Sequence, residues 1–363
     1  MESDPTRKLR VSPSTDRRWT VLAVLCLAVF AINLDTTIVN VALPTLVKQL
    51  GATTSSLQWI VDAYNLAFAA LVLAAGSLSD RFGRRGALVV GLAIFGLATT
   101  VGAFGTTSGE LIITRVVMGV GAAIIFPNTL SILTNVFSDR GERAKAIGVW
   151  GATTGMAVAF GPIIGGLLLE HFWWGSVFLA MAPAAAIAIL LVVLFVPPSR
   201  DPGAPRLDGL GLTLSTAAIG LLVYTIIEAP ARGWSGSGTL AGFAGAAVAV
   251  VAFILWERRV AEPMLDVELF KNLRFSAASG AISVAFFALF GFIFLITMYF
   301  QFLHGYSPLS TGVRLLPVAL GMGVASGAGP SLAVRLGNNR VVGAGLLLMA
   351  AGFAWISTSG VQT

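Results

Sequence analysis

The chain contains eleven apolar runs, and each run is long enough to cross a lipid bilayer as an α-helix. A hydrocarbon core about 30 Å thick requires about 20 apolar residues in helical form. Polar segments separate the runs, which cover residues 19–43, 57–78, 86–105, 111–136, 145–169, 174–196, 209–228, 239–256, 275–303, 308–333 and 341–358. The strands of a membrane β-barrel would be shorter and would alternate in polarity. We therefore predict an all-α polytopic membrane protein with eleven transmembrane helices.

The positions of the basic residues predict how these helices are oriented. Residues 1–18 carry several Lys and Arg residues, and the loops that would share their side of the membrane carry most of the others. Basic loops remain in the cytoplasm. We therefore expect a multi-pass protein of the cell membrane with a cytoplasmic basic tail at 1–18. The net charge of +6 is spread over short loops instead of one soluble surface, which argues against nucleic-acid binding.

Residues that commonly carry catalytic or metal chemistry are scarce in this chain. It has one cysteine, Cys26, and two histidines in separate predicted loops, so we predict no metal site. None of its lysines follows a glycine, which excludes a Walker A nucleotide loop. We therefore predict that the protein is not an enzyme and uses no cofactor. Transport would then depend on an ion gradient or run downhill.

A short charged segment separates the second and third apolar runs. Residues 76–85 read GSLSDRFGRR, and we expect Gly76 and Gly83 to let the backbone leave one helix and enter the next. A basic loop of this kind could serve only to fix topology. The full spacing resembles the signature loop between helices 2 and 3 of the major facilitator superfamily. The resemblance implies a conformational switch formed by Gly76, Asp80, Arg81, Gly83, Arg84 and Arg85.

Further motifs resemble the fourteen-helix drug/proton antiporters of that superfamily. They are LDTTIVNVALP at 34–44, RVVMGVG at 115–121, EPMLD at 262–266 and QFLHGYSPLSTGVRLLP at 301–317. The antiporter pattern of the fifth helix comprises Gly148, Gly155, Gly161, Pro162, Gly165 and Gly166. Close packing is the default role of glycines in membrane helices. The resemblance implies in addition a seam that opens and closes between two lobes, a major facilitator fold and a proton gradient as the energy source.

An internal repeat supports a division into two lobes. Residues 331–337 read SLAVRLG and align with SLSDRFG at 77–83. The drug/proton antiporters that this chain resembles have fourteen helices. We therefore expect the chain to be truncated at its C-terminus, with three helices missing. The predicted parts are a six-helix N-terminal lobe at 19–196, two extra transmembrane helices with a cytoplasmic linker at 197–256, a cytoplasmic interfacial segment at 257–274, and the first three helices of an incomplete C-terminal lobe at 275–363.

Asp35 is the acidic residue placed deepest within a predicted helix. A carboxylate inside a bilayer costs about 2.5 to 3.5 kcal/mol, so it persists where it is paired, hydrated or functional. We expect Asp35 to carry protons and to exchange them for substrate, with Arg115 of the fourth helix as its electrostatic partner. Purely structural pairing is the alternative. Asp62, near the outer end of the second helix, is expected to be a hydrated interfacial acid or to meet a cation that enters from outside.

The function predicted on this basis is proton-coupled efflux of lipophilic drugs or antibiotics by alternating access. The partners would be a lipophilic small molecule, protons and membrane lipids, and the protein would act as a monomer. Two alternatives remain open: a metabolite or sugar carrier of the same fold, and a membrane fragment that does not transport. The last three predicted helices contain no Asp or Glu, which favours neutral or singly cationic substrates.

Overall fold

The computed structural model describes residues 15–201 and 208–358, and most of these residues are α-helical. Eleven helical stretches in this part of the chain are long and apolar enough to cross a membrane, which confirms the predicted all-α polytopic architecture. Most of the predicted basic tail, residues 1–14, lies outside the described residues. The first five stretches are the single helices α1 (Thr15–Leu50), α2 (Thr54–Phe82), α3 (Arg84–Ala103), α4 (Ser108–Val136) and α5 (Arg140–His171).

Two of the later stretches are interrupted close to a proline. The sixth stretch is interrupted at Ala180, and Pro183 lies in the first turn of the helix that follows. The tenth stretch is interrupted at Leu315, and Pro317 follows this break. Proline has no backbone N–H with which to continue a helix. The remaining helices are α6 (Ser176–Leu179), α7 (Met181–Phe195), α8 (Gly209–Arg232), α9 (Ser237–Glu257), α10 (Leu273–Met298), α11 (Pro308–Arg314), α12 (Leu316–Leu336) and α13 (Asn338–Thr358).

Several helices extend beyond the apolar runs that predicted them. α1 continues through Pro44 to Leu50, although its run ends at residue 43, and α5 begins before its run at 145–169. Hydropathy marks the part of a helix that lies in hydrocarbon, whereas capping residues set where the helix ends. At the start of α5, the side chain of Asp139 accepts a hydrogen bond from the backbone of Glu142 at 2.8 Å.

The first six spans, α1 to α7, pack into one bundle around α1. This helix packs against α4, α5 and α7, and α4 also packs against α2 and α3. Leu25, Ile38 and Leu43 of α1 are completely buried. α10, α11 and α12 contact α1 or α5, whereas α13 has no buried residues. The hydrophobic core therefore lies in the first half of the chain.

α8 and α9 form a hairpin that attaches to the bundle through α2. The carboxylate of Glu228 on α8 accepts hydrogen bonds from the Ser55 hydroxyl at 3.1 Å and from the Trp59 indole at 3.3 Å. The Trp59 ring also lies 6.0 Å from the ring of Tyr224, measured between centroids. These contacts fix α8 to the start of α2.

The helix ends define two faces of the molecule. We call one of them the basic face: it carries the start of α1 and the connections α2–α3, α4–α5, α7–α8, α9–α10 and α12–α13. The opposite face carries the remaining connections. Basic residues at the basic face include Arg81, Arg84, Arg85, Arg140, Arg143, Lys145, Arg200, Arg258, Arg259, Lys271, Arg274, Arg335 and Arg340.

The connection between α9 and α10 runs along the basic face and contains a short 3-10 helix, Val267–Lys271. Leu269 and Phe270 are exposed in it. A hydrogen bond from Lys271 lowers the pKa of the Glu268 carboxyl. Exposed apolar side chains next to charged ones are typical of a segment at a membrane surface. An interfacial role for residues 257–274 stays a prediction.

Candidate functional site

Asp35 and Arg115 form an ion pair between α1 and α4, and both side chains are completely buried. Arg115 donates from Nη1 to Asp35 Oδ2, and its Nε donates to the backbone oxygen of Ile60 at 2.8 Å. The guanidinium also lies over the ring of Tyr64, 4.4 Å from its centroid. One arginine therefore connects α1, α2 and α4.

Small residues allow this close approach of three helices. A Cβ atom on Gly119 would lie 2.4 Å from the backbone oxygen of Tyr64, so only glycine lets α4 pack this tightly against α2. Ala28, Ala31 and Ala42 of α1 are buried on either side of Asp35. The second oxygen of Asp35 and Nη2 of Arg115 have no hydrogen-bond partner among the described residues. The pair thus retains one unused acceptor and one unused donor in the interior.

A cavity of about 470 Å³ lies beside the ion pair, between α1, α2 and α10. One wall is polar and one is aromatic. The polar wall is formed by Thr36 and Asn40 of α1 and by Gln58, Asp62 and Asn65 of α2. The aromatic wall is formed by Phe286, Phe287, Phe290 and Phe294 of α10. The rings of Phe286 and Phe290 are stacked, with centroids 5.9 Å apart.

The two intramembrane acids therefore occupy different sites. Asp35 faces Arg115 and does not line the cavity, whereas Asp62 is partly buried and lines it. Asp62 makes no hydrogen bond or ion pair with any residue that the structure describes. The exchange of protons for substrate that we expect at Asp35 stays a prediction. Asp62 lies in a cavity wall opposite phenylalanines, and its expected role as a hydrated acid or a cation entry site stays a prediction.

The predicted switch segment lies at the basic face and is joined to the chain that follows α7. Asp80 pairs with Arg84 at 2.5 Å, and the backbone oxygen of Asp80 accepts from the backbone of Asp201 at 2.7 Å. Arg85 donates to the backbone oxygen of Val193 at 2.6 Å. Arg81 is exposed.

The turn itself is shorter than the sequence suggested. Only Gly83 separates α2 from α3, and its φ of 126° lies in the region that favours glycine. Gly76 does not take part in the turn, so the expectation that it lets the backbone leave the helix is wrong, whereas its role in the switch stays a prediction. It lies inside α2, where a Cβ atom would be 3.5 Å from Pro127 of α4, an ordinary packing distance. A glycine in a charged segment is not by itself a sign that the helix ends.

The glycines of the α5 pattern divide into two groups. Cβ atoms on Gly161 and Gly165 would lie 2.0 Å from Thr37 Oγ1 and 2.8 Å from Ile38 Cγ1, so these glycines let α5 pack against α1. A Cβ on Gly166 would lie 2.5 Å from the Cα of Leu309 in α11.

Pro162 extends the contact with α11, because its backbone oxygen would lie 2.3 Å from a Cβ on Gly312. Gly148, near the basic face, has no such neighbour within 4 Å, and Gly155 is partly exposed. The glycines of this pattern that make the closest approaches, Gly161, Gly165 and Gly166, therefore lie toward the opposite face.

No group of three or more His, Cys, Asp or Glu residues that could hold a metal ion occurs within 15–201 and 208–358. The ion pair, the cavity wall and the switch segment are the three polar features described above. Each of them involves α2. This helix thus connects the interior ion pair to both the cavity and the basic face.

Comparison with known proteins identifies relatives over most of the chain. It is 37% identical to the multidrug efflux pump LfrA of Mycolicibacterium smegmatis, over 95% of this chain and 69% of the relative. It is 38% identical to the methylenomycin A resistance protein of Bacillus subtilis, over 82% of this chain and 64% of the relative. It is 36% identical to the methyl viologen resistance protein SmvA of Salmonella typhimurium, over 96% of this chain and 70% of the relative. The chain thus spans about two thirds of the length of these relatives.

Solved structures share the fold at low sequence identity. A peptide transporter POT in complex with sulfate has a TM-score of 0.62 and 17% identity, over 87% of this chain and 69% of that one. The tetrameric PepTSo2 has a TM-score of 0.60 and 14% identity, over 93% of this chain and 75% of that one. A sequence model with the description Major Facilitator Superfamily matches residues 25–363. The chain therefore belongs to the Major Facilitator Superfamily.

Proposed function

We propose that the protein is a proton-coupled efflux transporter of lipophilic small molecules that works by alternating access. The observation that carries this proposal is the cavity between α1, α2 and α10, in which an unpaired acid, Asp62, faces a wall of phenylalanines. An aromatic wall binds apolar surface with little demand on shape, and its faces attract cations. Substrates would be neutral or cationic lipophiles, in keeping with the drug-resistance names of the relatives.

Proton coupling is assigned to the pair of Asp35 and Arg115. A proton on Asp35 would remove the charge that compensates Arg115, whose guanidinium is bound to Ile60 and Tyr64 of α2. Asp62 lies on the same helix between these two residues. Protonation in the interior is thereby transmitted to the cavity through α2, without contact between Asp35 and substrate. One proton moving through 100 mV supplies about 2.3 kcal/mol, enough for a concentration gradient of about 40-fold.

Alternating access is supported by the packing of α5. Toward the opposite face, α5 is in tight contact with α11 through Gly166, and Gln301 donates to the backbone oxygen of Val41 at 3.3 Å. Toward the basic face, Gly148 of α5 has no neighbouring atom within 4 Å of its Cβ position. With the basic face in the cytoplasm, as the positive-inside rule predicts, the α5–α11 contact would close this conformation to the outside. Transport would require the α5–α11 contact to open.

The proposal is tested by uptake of a lipophilic monocationic dye into inside-out vesicles that contain the protein. An imposed pH gradient, acidic inside, is expected to drive uptake, and a protonophore should abolish it. Asp62→Asn should weaken uptake of the cationic dye but spare a neutral lipophile, because only the cation needs the carboxylate. Accumulation of a sugar by whole cells that express the protein, with no transport of either lipophile, would indicate the metabolite carrier. Absence of binding and transport of every probe would indicate a fragment that does not transport.

Asp80→Asn and Arg84→Ala are each expected to slow turnover by about fivefold, the effect of one partly exposed ion pair on a conformational barrier. Substrate affinity should stay nearly constant, because this pair lies at the basic face and not in the cavity. Turnover and equilibrium dye binding, measured on the same preparation, separate the two effects. Arg140→Gln, an exposed residue of the same face, is the matched control. A large loss of affinity with an unchanged conformational distribution would contradict this role.

Substrates with one positive charge are expected to be preferred over bisquaternary dications. The cavity offers one carboxylate, Asp62, and a second buried charge without a partner costs several kcal/mol. Methyl viologen, a dication, is the decisive probe because the relative SmvA is named for resistance to it. Resistance of cells that express the protein should be at least tenfold stronger toward a monocation of similar size. Equal resistance to the monocation and to methyl viologen would mean that the bound dication reaches a second acidic residue.

A further inference from the structure

Two cavities adjoin each other at the basic face, away from the cavity that contains Asp62. The first, of about 520 Å³, lies between α2, α3 and α4 and is bounded by Leu212 of α8; we call it the apolar groove. The second, of about 640 Å³, lies between the start of α3 and the chain after α7; we call it the arginine pocket. Both are lined by Phe82, Gly83 and Gly86, so they form one continuous depression.

The apolar groove is suited to a hydrocarbon chain. Its lining consists of aliphatic side chains, glycines, Phe82 and a single hydroxyl, that of Ser79. This hydroxyl donates to the backbone oxygen of Ala75 at 2.5 Å and therefore does not require a polar ligand. Leu78, Phe82 and Val90 at the groove are exposed by 45%, 76% and 52%. In a membrane, such a groove is occupied by apolar material.

The arginine pocket is suited to an anion. Arg200 lines it and makes no ion pair or hydrogen bond with any residue in 15–201 or 208–358. Arg85 uses Nη2 for the backbone oxygen of Val193, and its Nη1 and Nε have no partner in the same ranges. The hydroxyl of Ser199 is buried without a hydrogen-bond partner among described residues. The nearby acid Asp80 is already paired with Arg84 and does not line the pocket.

We propose that this depression binds an anionic phospholipid from the membrane leaflet at the basic face. One acyl chain lies in the apolar groove, and the phosphate lies between Arg85 and Arg200. Only an amphiphile fills an apolar groove and a cationic pocket that meet at Gly83 and Gly86. Arginine binds phosphate oxygens through several donors at once, which suits the unused nitrogens of both side chains.

The position of the lipid predicts an effect on the switch segment. The floor shared by the two cavities contains Gly83, the single residue that joins α2 to α3. The other wall of the arginine pocket contains Ser199, whose backbone oxygen accepts from the backbone of Arg84 at 2.9 Å. A bound lipid therefore contacts both sides of the connection between the α2–α3 turn and the chain after α7. It holds this connection in the observed arrangement.

Native mass spectrometry of the protein from nanodiscs with equal amounts of phosphatidylglycerol and phosphatidylcholine tests the proposal. The protein is expected to retain phosphatidylglycerol preferentially. Arg200→Gln should lower its apparent affinity about fivefold, the contribution of one arginine at an anionic lipid surface. Arg140→Gln removes an exposed arginine of the same face outside the depression, and it should leave retention unchanged.

A second variant tests the acyl chain separately from the phosphate. Gly86 has open space where a Cβ would lie, so Gly86→Leu is tolerated and places a side chain where the two cavities meet. This variant should lower phosphatidylglycerol retention at least fivefold although both arginines remain. Equal retention of the two lipids, or wild-type retention by both variants, would overturn the proposal. Displacement of the lipid by millimolar inorganic phosphate would also overturn it, because the site would then hold a free anion.

Discussion

Asp35→Asn is expected to reduce proton-driven efflux to background while the protein still inserts into the membrane. The amide can accept the hydrogen bond from Arg115, so local geometry is retained, but it cannot gain or lose a proton. Removing one charge of a buried pair costs about 3 to 5 kcal/mol, so the variant should also unfold at lower temperature. Dye transport in energised vesicles and thermal unfolding measure the two effects. Transport at the wild-type rate would refute the assigned role.

The double variant Asp35→Asn, Arg115→Gln separates proton coupling from structural pairing. It removes both charges together, so much of the stability lost in the single variant should return. A purely structural ion pair would then be replaceable, and transport would recover together with stability. We expect stability to recover while gradient-driven transport stays at background. Recovery of both would favour the structural alternative.

Gly161→Ala is expected to lower the stability of the protein by about 1 to 3 kcal/mol, the usual cost of overpacking. The new Cβ would lie 2.0 Å from the hydroxyl of Thr37 and 3.0 Å from the backbone nitrogen of Ile38. The backbone atom cannot move away unless α1 and α5 separate. Unfolding temperature in detergent and in lipid is the measurement.

Gly148→Ala is the matched control in the same pattern and on the same helix. Nothing lies within 4 Å of its Cβ position, and alanine is the better helix former. Its unfolding temperature should equal or slightly exceed that of the wild type. If the two variants were equally stable, the tight contact of α5 with α1 would not exist in solution.

The fold could be predicted from the sequence because membrane-spanning helices follow directly from hydropathy. Eleven apolar runs predicted eleven spans, and the motif around Asp80 indicated the family. The boundaries could not be predicted in the same way, since caps such as Asp139 determine them and not the hydrocarbon thickness. The break near Pro183 could not be predicted from the proline alone, because Pro44, Pro127 and Pro162 lie inside helices that are not interrupted.

The candidate site was only partly predictable. Asp35 and Arg115 were identifiable because charged residues are rare inside membrane helices. The cavity wall was missed, although Gln58, Asp62 and Asn65 recur on one face of α2 at helical spacing. On α10, phenylalanines repeat at four-residue intervals, but an apolar face toward lipid has the same pattern as one toward a cavity. Only the packing of α10 against α1 distinguishes them.

The attachment of the α8–α9 hairpin has a practical consequence for experiments on motion. Because Glu228 and Tyr224 fix α8 to the start of α2, we expect the hairpin to move together with that helix. Its turn at 233–236 lies on the surface, away from the Asp62 cavity. A fluorophore or spin label introduced in this turn would report the displacement of α2 from a position where neither cargo nor proton binds. The α8–α9 hairpin would thus allow the transport cycle to be observed without a label at the cavity.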